Sequence, residues 1–167
     1  MTIVDTATIE RLAGLDRYLG SQILGQGEVL QQVTELLQRS FCGIRLPNRP
    51  LASMLFLGPT GVGKTETAEL LTERLFGSRE KLIRLDMSEC MTLDSIDILR
   101  GANMTEDGIL GRYYDRTEGA GLILFDEIEK GHRLILDLLL QILSAARFTT
   151  AAGRTLNLRG YVGDSNQ

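Results

Sequence analysis

The chain has 167 residues, 43% hydrophobic and 24% charged, which is enough for one domain with a real buried core. A net charge of −4 without a long Lys/Arg run argues against nucleic-acid binding, and no apolar stretch is long enough for membrane insertion. The first ten residues carry Asp5 and no basic region ahead of an apolar run, so they do not read as a signal peptide and the expected location is cytoplasmic. In that setting Cys42 and Cys90, which lack metal-site spacing, read as free thiols buried for packing.

In chain order, Ile9, Leu12, Leu15 and Leu19 recur three and four apart, which predicts an amphipathic helix over Ile9 to Leu19. Gly20 and Gly25 flank the short apolar step Ile23-Leu24. A second helical stripe follows with Val29, Leu30, Val33, Leu36 and Leu37. The segment Gly43 to Pro50 holds two prolines and an asparagine and reads as a loop. Met54 to Leu57 is wholly apolar, the signature of a strand buried on both faces. Lys64 to Phe76 is helical, Leu82 to Leu85 a second strand, and Leu122 to Phe125 a third; Arg133 to Ser144 returns to helical spacing. Strands alternating with helices predict an α/β fold with a mainly parallel sheet covered on both faces, a three-layer α/β/α architecture. The segments Thr92 to Gly121 and beyond Phe148 give no clear period.

Between the first strand and its helix runs Gly58-Pro59-Thr60-Gly61-Val62-Gly63-Lys64-Thr65, a match to G-x-x-x-x-G-K-[ST] at every fixed position. Glycines let the backbone curl so that successive N–H groups face phosphate oxygens, and the helix that follows adds its positive dipole end. Lys64 supplies a mobile charge to the β- and γ-phosphates, and the Thr65 hydroxyl is placed to ligate Mg²⁺. The loop Pro59, Thr60, Gly61, Val62, Gly63, Lys64, Thr65, with Glu66 after it, is the predicted ATP/ADP-binding segment.

Leu122-Ile123-Leu124-Phe125 ends in Asp126-Glu127. In a phosphate-loop protein that places a carboxylate at the carboxyl end of a strand beside the loop, the edge at which open α/β sheets bind ligands. Asp126 is the predicted Mg²⁺ residue, and Glu127 is placed to polarise the attacking water. A second acid directly after the first points to hydrolysis rather than phosphoryl transfer to a small molecule.

Taken together, several segments resemble the Clp/disaggregase branch of the AAA+ ATPases. They are Leu24-Gly25-Gln26, the phosphate loop through Glu66, Asp86-Met87-Ser88-Glu89, Phe125 to Lys130 with His132, Leu139 to Leu143, and Gly153-Arg154-Thr155. The resemblance covers roughly residues 9 to 159 and is strongest to the second ATPase module of the tandem Clp proteins. It implies a P-loop NTPase large subdomain over 25–167, entered by a linker helix in 1–24. It also implies ATP and Mg²⁺ as cofactors, assembly into a ring, usually a hexamer, and a protein substrate or adaptor as partner. Leu24 and Gly25 fall where the family's backbone contacts adenine, although a helix-entry turn explains the same residues.

Three departures stand out. The family carries a Gly-Tyr-Val-Gly pore loop after the strand that ends in Asp-Met-Ser-Glu, whereas Gly101 to Gly111 is shorter and has no tyrosine. Gly160-Tyr161-Val162-Gly163 spells that string, but where the fourth strand is expected to begin; Tyr113 and Tyr114 read as packing residues. Ser165-Asn166 matches the family's fourth-strand end, whose Asn orients the attacking water, but Gly163-Asp164 breaks the apolar run before it. Nothing in the sequence corresponds to the fifth strand, the arginine finger or the helical lid, and Arg147 and Arg154 match a second pore-facing loop instead. His132 reads as a helix-start residue, and Glu106, Asp107, Asp115 and Glu118 as solvated surface acids.

Two functions fit these residues: an ATPase coupled to protein remodelling, and a nucleotide-binding regulatory or assembly module that does not thread substrate. A GTPase is disfavoured by the lack of an Asn-Lys-x-Asp string, and a small-molecule kinase by Glu127.

Overall fold

The computed structural model describes residues 6–42, 49–56 and 63–166. Two helices form where the spacing predicts one: α1 (Thr6–Ala13) and α2 (Leu15–Gln22), separated at Gly14. Glycine is a poor helix former, and the break falls on it. The apolar stripe survives the break in part: Leu12, Leu15 and Leu19, joined by Ile23, bury in one core with Leu30, Val33 and Leu37 of α3 (Gly27–Phe41), whereas Ile9 is exposed.

The chain then alternates as the pattern predicts, through β1 (Ala52–Phe56), α4 (Lys64–Phe76) and β2 (Leu82–Asp86). The segment without a clear period folds as two short helices, α5 (Ser95–Arg100) and α6 (Gly108–Thr117). After β3 (Ala120–Asp126) and α7 (Arg133–Ala145) comes a hairpin of β4 (Arg147–Thr149) and β5 (Thr155–Asn157), then β6 (Gly160–Asn166).

The main sheet has the order β1-β6-β3-β2 with every pairing parallel. Residues 160–166, where the fourth strand is expected to begin, therefore form the strand between β1 and β3, and they do so despite Gly163-Asp164. Strand alternation divides the core in two. Leu122 and Leu124 of β3 and Val162 of β6 pack with α1 to α4, while Ile123, Phe125 and Tyr161 pack with α5, α6 and α7. The sheet is thus the middle of three layers, buried on both faces, which is why β3 reads as an unbroken apolar run.

Gly101 and Gly108 close the loop that departs from the family pattern. Both have positive φ, and a Cβ at Gly108 would lie 2.4 Å from the Gly101 nitrogen and the Leu99 oxygen. Only glycine permits that backbone approach. Met104, within the loop, is 80% exposed.

Candidate nucleotide site at the carboxyl edge of the sheet

Because all four strands run parallel, their carboxyl ends lie along one edge. Asp86 of β2 is in register with Asp126 of β3, Phe125 with Ser165 of β6, and Phe56 of β1 with Asn166. In β3, Leu122 and Leu124 face α4, so the alternation puts Asp126 on the α4 side as well. Lys64 and Thr65 open α4 on that same side, directly after Gly63 at φ +90°.

The residues expected to bind nucleotide divide as follows. Pro59, Thr60, Gly61 and Val62 lie outside the described residues. Lys64 and Thr65 are half-buried at the start of α4, and Glu66 is exposed in its first turn. Leu24 is 88% exposed and Gly25 has φ +77°. Ile23, just before them, is buried, and a Cβ at Gly63 would sit 3.8 Å from its Cγ2. The Leu24-Gly25 step therefore lies close to the point where the loop joins α4. Asn166 ends β6 at the edge, and its side chain lies outside what the structure describes.

Asp126 pairs with Arg84 of β2, Nη2 to Oδ2 at 2.5 Å. Its Oδ1 has no hydrogen-bond partner among the described residues. Glu127 follows in the left-handed region at φ +53°, uncommon for a residue with a side chain, and accepts Lys130 Nζ at 2.7 Å. That hydrogen bond holds the Lys130 ammonium above its ordinary range. Asp86 accepts from the Ser88 hydroxyl at 2.6 Å and the Ser88 N–H at 2.9 Å, and the hydroxyl first, then the N–H, hold its carboxyl below the usual range.

Mg²⁺ takes hard oxygen donors, few of them from protein. The Thr65 hydroxyl makes no hydrogen bond among the described residues, unlike Thr67, which donates to the Gly63 carbonyl at 2.8 Å. Among the described residues the Thr65 hydroxyl and Asp126 Oδ1 are both without a hydrogen-bond partner, and hard oxygen donors of these two kinds suit this ion.

Sequence reasoning passed over Arg84. The signal was present, because it is a charge between the buried Ile83 and Leu85, two residues before Asp86. One smaller expectation is corrected and another is refined. Cys42 is exposed, although Cys90 is buried. Asp115 and Glu118 are surface acids as expected, but they are ion-paired: Arg154 bridges Asp115 to the less exposed Asp107, and Lys81 holds Glu118 at 2.8 Å. Arg154 is thereby folded back on α6. His132 does cap α7, its Nδ1 accepting from the Leu134 N–H at 3.3 Å.

Residues 49–162 match the family described as AAA domain (Cdc48 subfamily). The chain belongs to the AAA family. It is also 41% identical over 162 residues to chaperone protein ClpB of Corynebacterium efficiens, covering 92% of this chain and 18% of that protein. Chaperone protein ClpB 2 of Synechocystis is 42% identical over 158 residues, and ClpB of Bacillus anthracis 41% over 158, with the same 92% and 18% covered. This AAA chain therefore spans less than a fifth of the length of these curated relatives. Among the described residues no helix is long and apolar enough to cross a membrane.

Proposed function

We propose that this chain binds ATP with Mg²⁺ through the Gly58–Thr65 loop and hydrolyses it, within a Clp-type protein-remodelling ATPase. The observation that carries the reading is Asp126, which the parallel register brings to the carboxyl edge on the face from which Lys64 and Thr65 start. Lys64 meets the phosphates, Thr65 and Asp126 hold the cation, and Glu127 orients and polarises the attacking water, with Asn166 beside it. Mg²⁺ supplies neutralisation of phosphate charge when bound. Leu24 and Gly25 line the adenine side, 1–24 leads into the module, and 25–167 forms its nucleotide-binding part. In the whole protein the module works in a ring in the cytoplasm and acts on protein substrates, the last of which the relatives' description as chaperones supports.

One observation favours a second reading, a nucleotide-responsive assembly module that does not thread substrate. None of the four tyrosines is exposed: Tyr18, Tyr113 and Tyr114 are half-buried and Tyr161 is buried.

Nucleotide binding and phosphate release by the wild type and Glu127→Gln test the proposal. Binding by both with turnover only in the wild type supports the ATPase. Binding by both with no turnover in either, even at high protein concentration, favours the assembly module.

A further inference from the structure

The three acids that end β2 and β3 or directly follow them, Asp86, Asp126 and Glu127, are already engaged within the chain. Asp86 is taken by Ser88, Glu127 by Lys130 and Asp126 by Arg84. No group of three side chains converges as a metal site among the described residues. The Asp126 pair bears most directly on the cation. The Asp126 side chain is only 15% exposed against 53% for Arg84, so the carboxylate is fixed in the site and the guanidinium reaches it from the solvent side. Arg84 lies on the α4 face of β2, and this is its one ion pair among the described residues.

A guanidinium offers only donors, and on Oδ2 it leaves a hard cation one oxygen of Asp126 instead of two. Two positive groups on one carboxylate also repel, more strongly where water is excluded. We propose that Arg84 is a placeholder for the cation. In the nucleotide-free chain it holds Oδ2 of Asp126 and keeps free divalent cations off the strand-end acids. Nucleotide phosphates then bring the further oxygens that let the cation displace it. Arg84 is a positioning residue acting through Asp126, and the inference rests on the assignment of Asp126 to the cation.

The test titrates Mn²⁺ alone, without nucleotide, into the 167-residue chain and follows the electron paramagnetic resonance signal of the free ion. Arg84→Met should bind Mn²⁺ at least about tenfold more tightly than the wild type, because the competing charge is gone. Arg84→Lys should stay within about threefold of the wild type, since it keeps the charge. Adding Asp126→Asn to Arg84→Met should abolish the gain. An Arg84→Met chain that binds no tighter, or a gain that survives Asp126→Asn, overturns the placeholder. Melting curves check that each variant folds, and Arg84→Gln carries the same comparison if the methionine variant does not. The underlying assignment fails separately, if Asp126→Asn alone leaves Mn²⁺-dependent ATP binding unchanged.

Discussion

The hydroxyls of Tyr161 on β6 and Thr117 on α6, both fully buried, share a hydrogen bond that ties a central strand to the helix packed on it. Thr117 Oγ1 also reaches the Tyr113 carbonyl at 2.8 Å, where it can only be the donor. Its single proton goes there, so Tyr161 donates to it. The string Gly160-Tyr161-Val162-Gly163 thus serves the interior of the sheet.

Tyr161→Phe removes that donor while Thr117 keeps its own acceptor, so the loss should be modest, about 1 kcal/mol by denaturant unfolding. Burial pushes the Tyr161 phenol up to about 12. A raised folded-state value means stability is intact below the ordinary phenol range and is lost as pH rises through the raised value. The wild type should therefore lose up to about 1.4 kcal/mol per pH unit between roughly pH 10 and 12. That slope should be absent in Tyr161→Phe.

Arg154 clamps the β4–β5 hairpin to α6. It donates to Asp107 at 2.9 Å and Asp115 at 3.0 Å, and Thr150 donates to Asp107 at 2.7 Å. Asp107 is held below the usual carboxylate range by the Thr150 hydroxyl first and Arg154 second, and Asp115 by Arg154. Lowered folded-state values mean the clamp is complete above the ordinary carboxylate range and is lost as pH falls through the lowered values. Hydrogen exchange of residues 147–157 should lose protection below about pH 4. Arg154→Gln should speed that exchange by about tenfold at neutral pH. Unchanged exchange would show that the clamp does not hold the hairpin.

Gly108→Ala should destabilise the chain by about 2 kcal/mol or more, because the added Cβ meets backbone atoms and φ is positive. The same change at Gly153, also at positive φ but with open space around it, should cost about 1 kcal/mol. Thermal or urea unfolding of the two variants separates the steric part from the conformational part.

The parallel sheet and the α4 and α7 helices were legible because buried strands and amphipathic helices write period and apolarity directly into the sequence. The candidate ligand edge was legible for a related reason. Glycines before Lys64 and acids after Phe125 break those patterns where no packing demand explains them. What escaped was set by contacts between distant segments. The α1–α2 break turns on Gly14, β6 forms across Gly163-Asp164 because β1 and β3 flank it, and the Arg84–Asp126 and Arg154–Asp107 pairs join residues 42 and 47 positions apart.

The measurement closest to the central claim is calorimetric titration of Mg²⁺–ATP into the wild type and Lys64→Ala. With Lys64 on the β- and γ-phosphates as proposed, its loss should weaken binding by about tenfold or more while the melting temperature stays near that of the wild type. Equal affinities, or no heat of binding from a folded wild-type chain, would contradict the assignment of Gly58–Thr65 as the ATP site.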